Sequence, residues 1–457
     1  MPNTEIFGGE IVDKPLKLLR YNTGNDKKAF VEFKKYFDAV IFNATIVAYS
    51  GPSVADLVSV HKNQYIIDPQ THIFQHDISA ILSKDKKEIK KSVAKYLDEL
   101  PDTIKSILVR GSALSPDNIE GHISELVSKV YAFETEYVLK YIKDKEYDKY
   151  LEFAGIGPKP RLVVAPYFML KEEYTKDQIQ EWMSINKKCL HEFIATNKNV
   201  YDVAAQLVID QSLLLREELF DLIKDTYSKE DFKYIFLWID NLDTFAANDE
   251  IRKGFYHLLE CLNQMGLKPL MAYGGFDSIF LCNKDIKNRL YGVAQSVGYG
   301  EARNITPVGG GLPTNKYYFL PIHQRLKFDD AANILYKLGY FSQQKSDSEY
   351  AEDYYTHICG CEQCHKIIRN NINNFNEYND SIPFVVKGRY GDISRNRPTT
   401  NANLIAANHF LFCKVKEWED INSLSLEELK EQLLKNYTVY CSERLDTMRS
   451  WCEIYAR

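Results

Sequence analysis

No run in this 457-residue sequence approaches the ~18 consecutive apolar residues of a membrane-spanning helix, and Met1 to Glu10 holds no apolar signal segment. These absences predict a cytoplasmic protein with no membrane partner. Excess positive charge is missing too: the formal net charge is −6, so contact with nucleic acid would have to rest on local basic patches. The nine cysteines are an odd number, and reduced thiols are expected. No internal repeat, low-complexity tract or flexible linker is evident. The triple Gly309-Gly310-Gly311 lacks the Lys-Ser/Thr of a phosphate loop and reads as a flexible turn.

What is present is a recurrence of short apolar runs separated by charged, helix-like segments. They are Leu16–Leu19, Ala39–Tyr49, Tyr65–Phe74, Arg161–Met169, Val200–Ile209, Tyr234–Ile239, Pro269–Gly274 and Gly292–Gly298. Several lack strict alternation, as strands buried on both faces do. Eight such strands interleaved with helices predict an α/β fold, a (β/α)8 TIM barrel, over residues 1–345. A doubly wound open sheet also fits, but the strand count favours closure. A helical insertion is expected at about 77–150. Its Lys-rich Ser83–Lys95 also carries Asp85 and Glu88, as a solvated helix face does. Residues 346–457 are expected to form a zinc-binding subdomain with C-terminal helices.

That subdomain is announced by Cys359-Gly360-Cys361-Glu362-Gln363-Cys364, three cysteines within six residues. C-x-C-x-x-C spacing lets three thiolates converge on one tetrahedral ion, and a distant His supplies the fourth ligand. His409, in the apolar stretch Leu404 to Phe412, is the expected fourth ligand, with His365 in reserve. A closed Cys3His zinc site has no open position, so it stabilises a fold and the chemistry must lie elsewhere.

Barrel chemistry sits at the C-terminal ends of the strands. Asp68 ends one apolar run, and Asp240 and Asp243 follow another. Each is an active-site carboxylate or a cap for the next helix. Gly274-Gly275 permits close backbone approach to a ligand or makes a tight turn. Glu301 and Arg303, just after the last strand, are either a mutual pair or site residues. His61, His72 and His76 cluster near Asp68 without the spacing of a ligand set, which argues against a metal-dependent hydrolase. In the polar stretch Lys366–Thr400, Lys387, Arg389, Arg395 and Arg397 are offset only by Asp392 and are candidates for phosphate contact.

An eight-strand barrel followed by C-x-C-x-x-C and a later Asn408-His409 resembles the tRNA-guanine transglycosylases, zinc-bearing barrels that exchange guanine for a 7-deazaguanine. Phe42-Asn43-Ala44-Thr45 looks like the family's G-N-T strand end, and Asp68 with Phe74-Gln75 resembles its D-S-G-G-F-Q. Gln206 is similar to the base-binding glutamine, and Leu270 to Gly275 resembles the L-M-G-V-G strand. The family's eighth-strand aspartate has no counterpart in Gly292 to Val297, and 44 residues separate Cys364 from His409. These departures look like the branch that modifies DNA.

The resemblance implies base exchange at C1′ of a nucleoside in DNA, or alternatively in tRNA, with a 7-deazaguanine base as the incoming substrate. Asp68 is placed at the reaction centre, Asp240 or Asp243 is ranked as nucleophile above Glu301, and Phe74, Gln206, Gly274, Gly275 and Glu301 are candidate base contacts. A homodimer or accessory proteins are the candidate protein partners. The absent aspartate supports a second reading, a silent homologue that binds nucleic acid or supports an active partner.

Overall fold

The computed structural model describes residues 4–7, 10–21, 26–59, 64–83, 88–142, 158–228, 230–298, 301–305, 315–388 and 391–456. His61, Asp85, Arg389 and Gly309-Gly310-Gly311 lie outside the described residues, as do the end of the insertion and the side chain of Lys387. The chain forms two compact units, Met1–Asn22 with Lys34–Val308, and Thr23–Phe33 with Gly309–Arg457. The division thus falls ahead of the residue 345 boundary read from the sequence. The extended segment Lys316–Lys327 is an antiparallel hairpin, Lys316–Phe319 with Gln324–Lys327, and belongs to the second unit.

The first unit is built on eight parallel strands: β1 (Leu16–Tyr21), β2 (Ala39–Asn43), β3 (Gln64–Asp68), β4 (Val163–Val164), β5 (Val203–Ile209), β6 (Tyr234–Ile239), β7 (Lys268–Met271) and β8 (Gly292–Ser296). Their hydrogen-bonded order is β3-β2-β1-β8-β7-β6-β5-β4. A bridge from Tyr65 to Pro160 brings β3 to the lead-in of β4, so the sheet forms a nearly closed barrel. Every residue of β5 and β6 is buried, because one face meets the barrel interior and the other meets helices.

Interior positions alternate along the strands: Leu16 and Leu18 of β1, Ala39 and Ile41 of β2, Ile66 of β3, Ala204 and Val208 of β5, Phe236 and Trp238 of β6. By this period of two, Arg20, Asn43, Asp68 and Gln206 also point inward. Gly292 is required: a Cβ there would meet the Leu16 carbonyl oxygen at 2.7 Å.

The strands are shorter than the apolar runs that announced them. β2 gives way at Ala44 to the helix Ala44–Ser59, and β3 ends at Asp68 before a 3-10 turn, Thr71–Gln75. β4 keeps only two residues, bracketed by Pro160 and Pro166, which offer no backbone donor to a ladder. The insertion contains helices Lys91–Leu97, Asp102–Val109, Pro116–Ile119 and Ile123–Glu136.

The second unit holds helices Asp26–Phe33, Phe328–Lys337, Asp347–His357, Glu362–Ile368, Thr400–Ser423, Leu426–Tyr440 and Leu445–Tyr455. The polar stretch Lys366–Thr400 contains another antiparallel hairpin, Ser381–Gly388 with Gly391–Pro398. No helix among the described residues is long and apolar enough to cross a membrane.

Candidate metal centre and barrel-mouth site

Cys359 and Cys361 lie between helices Asp347–His357 and Glu362–Ile368, and Cys361 caps the second of these, its sulfur accepting from the Cys364 amide at 3.3 Å. Capping fixes Cys361 against Cys364 one turn later, so two ligands are positioned by ordinary helix geometry. Gly360 between the first two cysteines is obligatory, because a Cβ would meet the Tyr355 carbonyl oxygen at 2.8 Å. His409 projects from the middle of helix Thr400–Ser423. The four ligand atoms are buried and lie within 4.8 Å of one another.

His409 Nε2 donates to the Tyr318 carbonyl at 2.9 Å, which leaves the Nδ1 lone pair facing Cys361 Sγ at 3.3 Å and Cys364 Sγ at 3.5 Å. Tyr317 stacks on the imidazole at 4.8 Å and 13° and holds the ring plane. A tetrahedral ion bound by thiolates at about 2.3 Å sets its ligand atoms about 3.8 Å apart, close to the spacing found. The cluster therefore fits a Cys3His metal site. His365, the reserve ligand, stacks instead on Tyr355 at 3.8 Å. Cys413, one turn beyond His409, brings its sulfur to 3.7–3.9 Å from the imidazole nitrogens but is not among the four.

A charged cluster adjoins the centre. Lys414 and Glu417 are fully buried and pair at 2.9 Å. Glu417 also accepts from His323 at 2.8 Å and from the Tyr318 hydroxyl. Burial alone would raise the Glu417 carboxyl, but Lys414 and His323 outweigh it and hold the group below its ordinary range. Tyr318 thus serves both groups, its carbonyl orienting His409 and its hydroxyl bonding Glu417.

At the C-terminal end of the barrel, β1, β2 and β3 deliver Arg20, Asn43 and Asp68 side by side. Arg20 is 1% exposed and donates to Asp68 at 2.8 Å, to Asn43 at 3.0 Å and to the Ala272 carbonyl at 3.2 Å. Asp68, also 1% exposed, accepts in addition from the Tyr167 hydroxyl at 2.6 Å and the Gln70 amide at 3.2 Å. Three hydrogen bonds, one of them also an ion pair, make this carboxylate an anchor for its neighbours.

An aromatic wall continues from this anchor. His72 stacks on Tyr167 at 5.3 Å and meets Trp238 edge-on at 5.1 Å, and Trp238 packs on Tyr273 at 4.8 Å. Two guanidiniums lie over the Tyr273 ring, Arg20 at 4.3 Å and Arg303 at 5.1 Å. Burial, then His76 and the two arginines, push the His72 imidazole well below its ordinary pKa, so it is neutral. Neither of its ring nitrogens has a hydrogen-bond partner among the described residues, and neither does the amide nitrogen of inward-facing Gln206.

The other sequence candidates separate cleanly. Asp243 accepts from the Phe245 and Ala246 amides at 3.0 and 3.3 Å, the behaviour of a turn cap. Asp240, half-buried at the end of β6, accepts from the Ile305 amide through Oδ1 at 2.6 Å, and among the described residues nothing bonds Oδ2. Beside it the end of β5 presents Asp210, which the sequence reading missed. Burial raises its carboxyl, and the negative charge of Asp240 adds to the rise. Phe74 is buried in a stack on Tyr96 of the insertion. The space beside Gly274 is taken by Ser278 and Val293, and that beside Gly275 by Asp277 and Glu301. Those glycines admit the chain's own side chains.

Arg395 and Arg397 stand on the exposed hairpin strand Gly391–Pro398, opposite Phe384 and Ile382. His76 is buried near His72 at 6.0 Å between ring centroids, but the two are not part of a metal-ligand group among the described residues.

No protein-family model matches this chain, and no curated protein matches it.

Proposed function

We propose that the chain is a nucleic-acid guanine transglycosylase that exchanges guanine for a 7-deazaguanine, in DNA ahead of tRNA, and that the Cys3His group holds a structural zinc ion in a cytoplasmic enzyme. The observation that carries the reading is the pair of neighbouring carboxylates, Asp210 and Asp240, at the ends of β5 and β6. A raised carboxyl beside one with an open oxygen is the arrangement that divides acid from nucleophile in retaining glycosyl transfer.

In this mechanism Asp240 Oδ2 attacks C1′ while the bond from C1′ to N9 breaks and its electron pair leaves with guanine. Asp210 gives its proton to the departing base. The incoming 7-deazaguanine returns a proton to Asp210 from the ring nitrogen that becomes bonded. That nitrogen attacks C1′, and the bond to Asp240 breaks. Asp68 keeps Arg20 and Tyr167 in place and takes no covalent part. A zinc ion held by Cys359, Cys361, Cys364 and His409 would have no open position and would supply stability to the fold rather than a step. Extrusion of the target base from a duplex costs roughly a few kcal/mol, which favours sites that open easily.

Incubating the protein with labelled guanine and DNA or tRNA tests the proposal. Incorporation should vanish in Asp240→Asn and fall as pH rises through the raised Asp210 carboxyl. Failure of the wild-type protein on every DNA and RNA tried would favour the silent homologue, the reading supported by the acid-free β8.

A further inference from the structure

The hairpin Ser381–Gly388 with Gly391–Pro398 has a register that sorts its side chains into two faces. Ile382 pairs with Arg397, Phe384 with Arg395 and Val386 with Ile393, and all six residues share one face. The opposite face carries Pro383, Val385, Ser394 and Asn396. Both faces are open: Ile382 is 41% exposed and Ile393 47% on the first, and Val385 62% on the second. A two-stranded ribbon is marginal in water by itself, and its exposed apolar residues suit an occupant.

Charge decides what that occupant is. The eighteen residues 381–398 carry four cations, Lys387, Arg389, Arg395 and Arg397, against the single acid Asp392, in a chain whose net charge is −6. Neither Arg395 nor Arg397 is ion-paired among the described residues, and the Arg397 guanidinium lies over the Phe384 ring at 5.9 Å. The major groove of a DNA duplex, about 12 Å wide, admits a two-stranded ribbon, walls it with phosphates and offers base edges to its face. Arginine and asparagine match guanine and adenine edges there, and apolar side chains meet thymine methyl groups.

We propose that this hairpin enters the major groove of double-stranded DNA, with the face of Phe384, Arg395 and Arg397 turned to the bases or phosphates. The inference rests on the nucleic-acid reading above and deepens it by naming the element and the form of nucleic acid.

The test is duplex binding by the full chain and by Arg395→Ala/Arg397→Ala, measured across a range of salt. Methylation protection of guanine N7, an atom of the major groove, is read alongside. Wild type should protect N7 positions; the variant should not. Its slope of log affinity against log salt should shallow by roughly 0.9 for each phosphate no longer neutralised. An unchanged slope and footprint would overturn the proposal, as would equal affinity and equal weakening on a single strand of the same sequence. Hairpin-dependent duplex binding without base exchange would sink the transglycosylase reading and leave this one standing. Base exchange with hairpin-independent binding would do the reverse.

Discussion

The metal centre and the barrel mouth are both buried polar constellations, yet the chain encodes them in opposite ways. Three of the four residues that could hold the metal ion fall within six residues, where one helix cap and one turn determine their geometry. The mouth draws Arg20, Asn43, Asp68, Tyr167, Asp210, Asp240 and Arg303 from separate strand ends and loops, and barrel closure alone assembles them. Local chemistry is legible from spacing. Dispersed chemistry becomes legible only when the register is known.

The largest effect should come from the local site. Cys364→Ser removes a ligand whose binding energy is also folding energy, on the order of 10 kcal/mol for a structural zinc site at neutral pH. Elemental analysis should find metal near one per chain in wild type and almost none in the variant. Cys413→Ser is the control: its sulfur sits near His409 but outside the four, so metal content should hold. Equal loss in both would erase the distinction.

At the mouth, Arg20→Met leaves the Asp68 carboxylate buried without its cation. That should lower unfolding free energy by about 3–5 kcal/mol, read from denaturant midpoints. Tyr167→Phe removes one hydrogen bond to the same carboxylate and should cost about 1.5–3 kcal/mol. Losses that add in the double variant would mean the mouth is a set of independent interactions and not one network.

How far the sequence was legible follows the same divide. The eight strands stood out because burial on both faces makes them apolar throughout, as in β5 and β6. Their ends did not, since the apolar run past Asn43 belongs to a helix core and the run around Val163 is cut by prolines. Asp68 ends a strand as its apolar run implies, but its three partners lie 48, 99 and two residues away, so spacing alone does not show them. Phe74 packs on Tyr96 of the insertion, a contact that a motif match does not show. Asp210 was overlooked although it follows an apolar strand just as Asp240 does. The hairpin is legible in the alternation of Ile382, Phe384 and Val386 and in the glycines Gly388 and Gly391.

A smaller effect separates the barrel wall from its mouth. Glu134, buried on the insertion helix Ile123–Glu136, accepts from the Val164 amide of β4 at 2.8 Å. Burial pushes its carboxyl well above the ordinary range, and the amide bond only partly opposes this. A raised folded value means its contribution is fully present below the unfolded carboxyl pKa and is lost as pH rises toward the folded one. Glu134→Gln keeps an acceptor for Val164 and should flatten that decline in pH-dependent denaturation. A decline as steep as in wild type would place the titration elsewhere.

Smallest of all, Asp243→Ala removes a turn cap and should cost about 1 kcal/mol with base exchange retained. Loss of exchange with stability unchanged would return Asp243 to the chemistry.

The central claim is that Asp240 is the nucleophile of a base-exchange site at the barrel mouth. Its most direct measurement is transfer of labelled guanine into duplex DNA by wild type and Asp240→Asn, with folding of both checked by denaturation. Wild type should incorporate the label, and a fully folded Asp240→Asn should show none above background. Incorporation at the wild-type rate by that variant would contradict it.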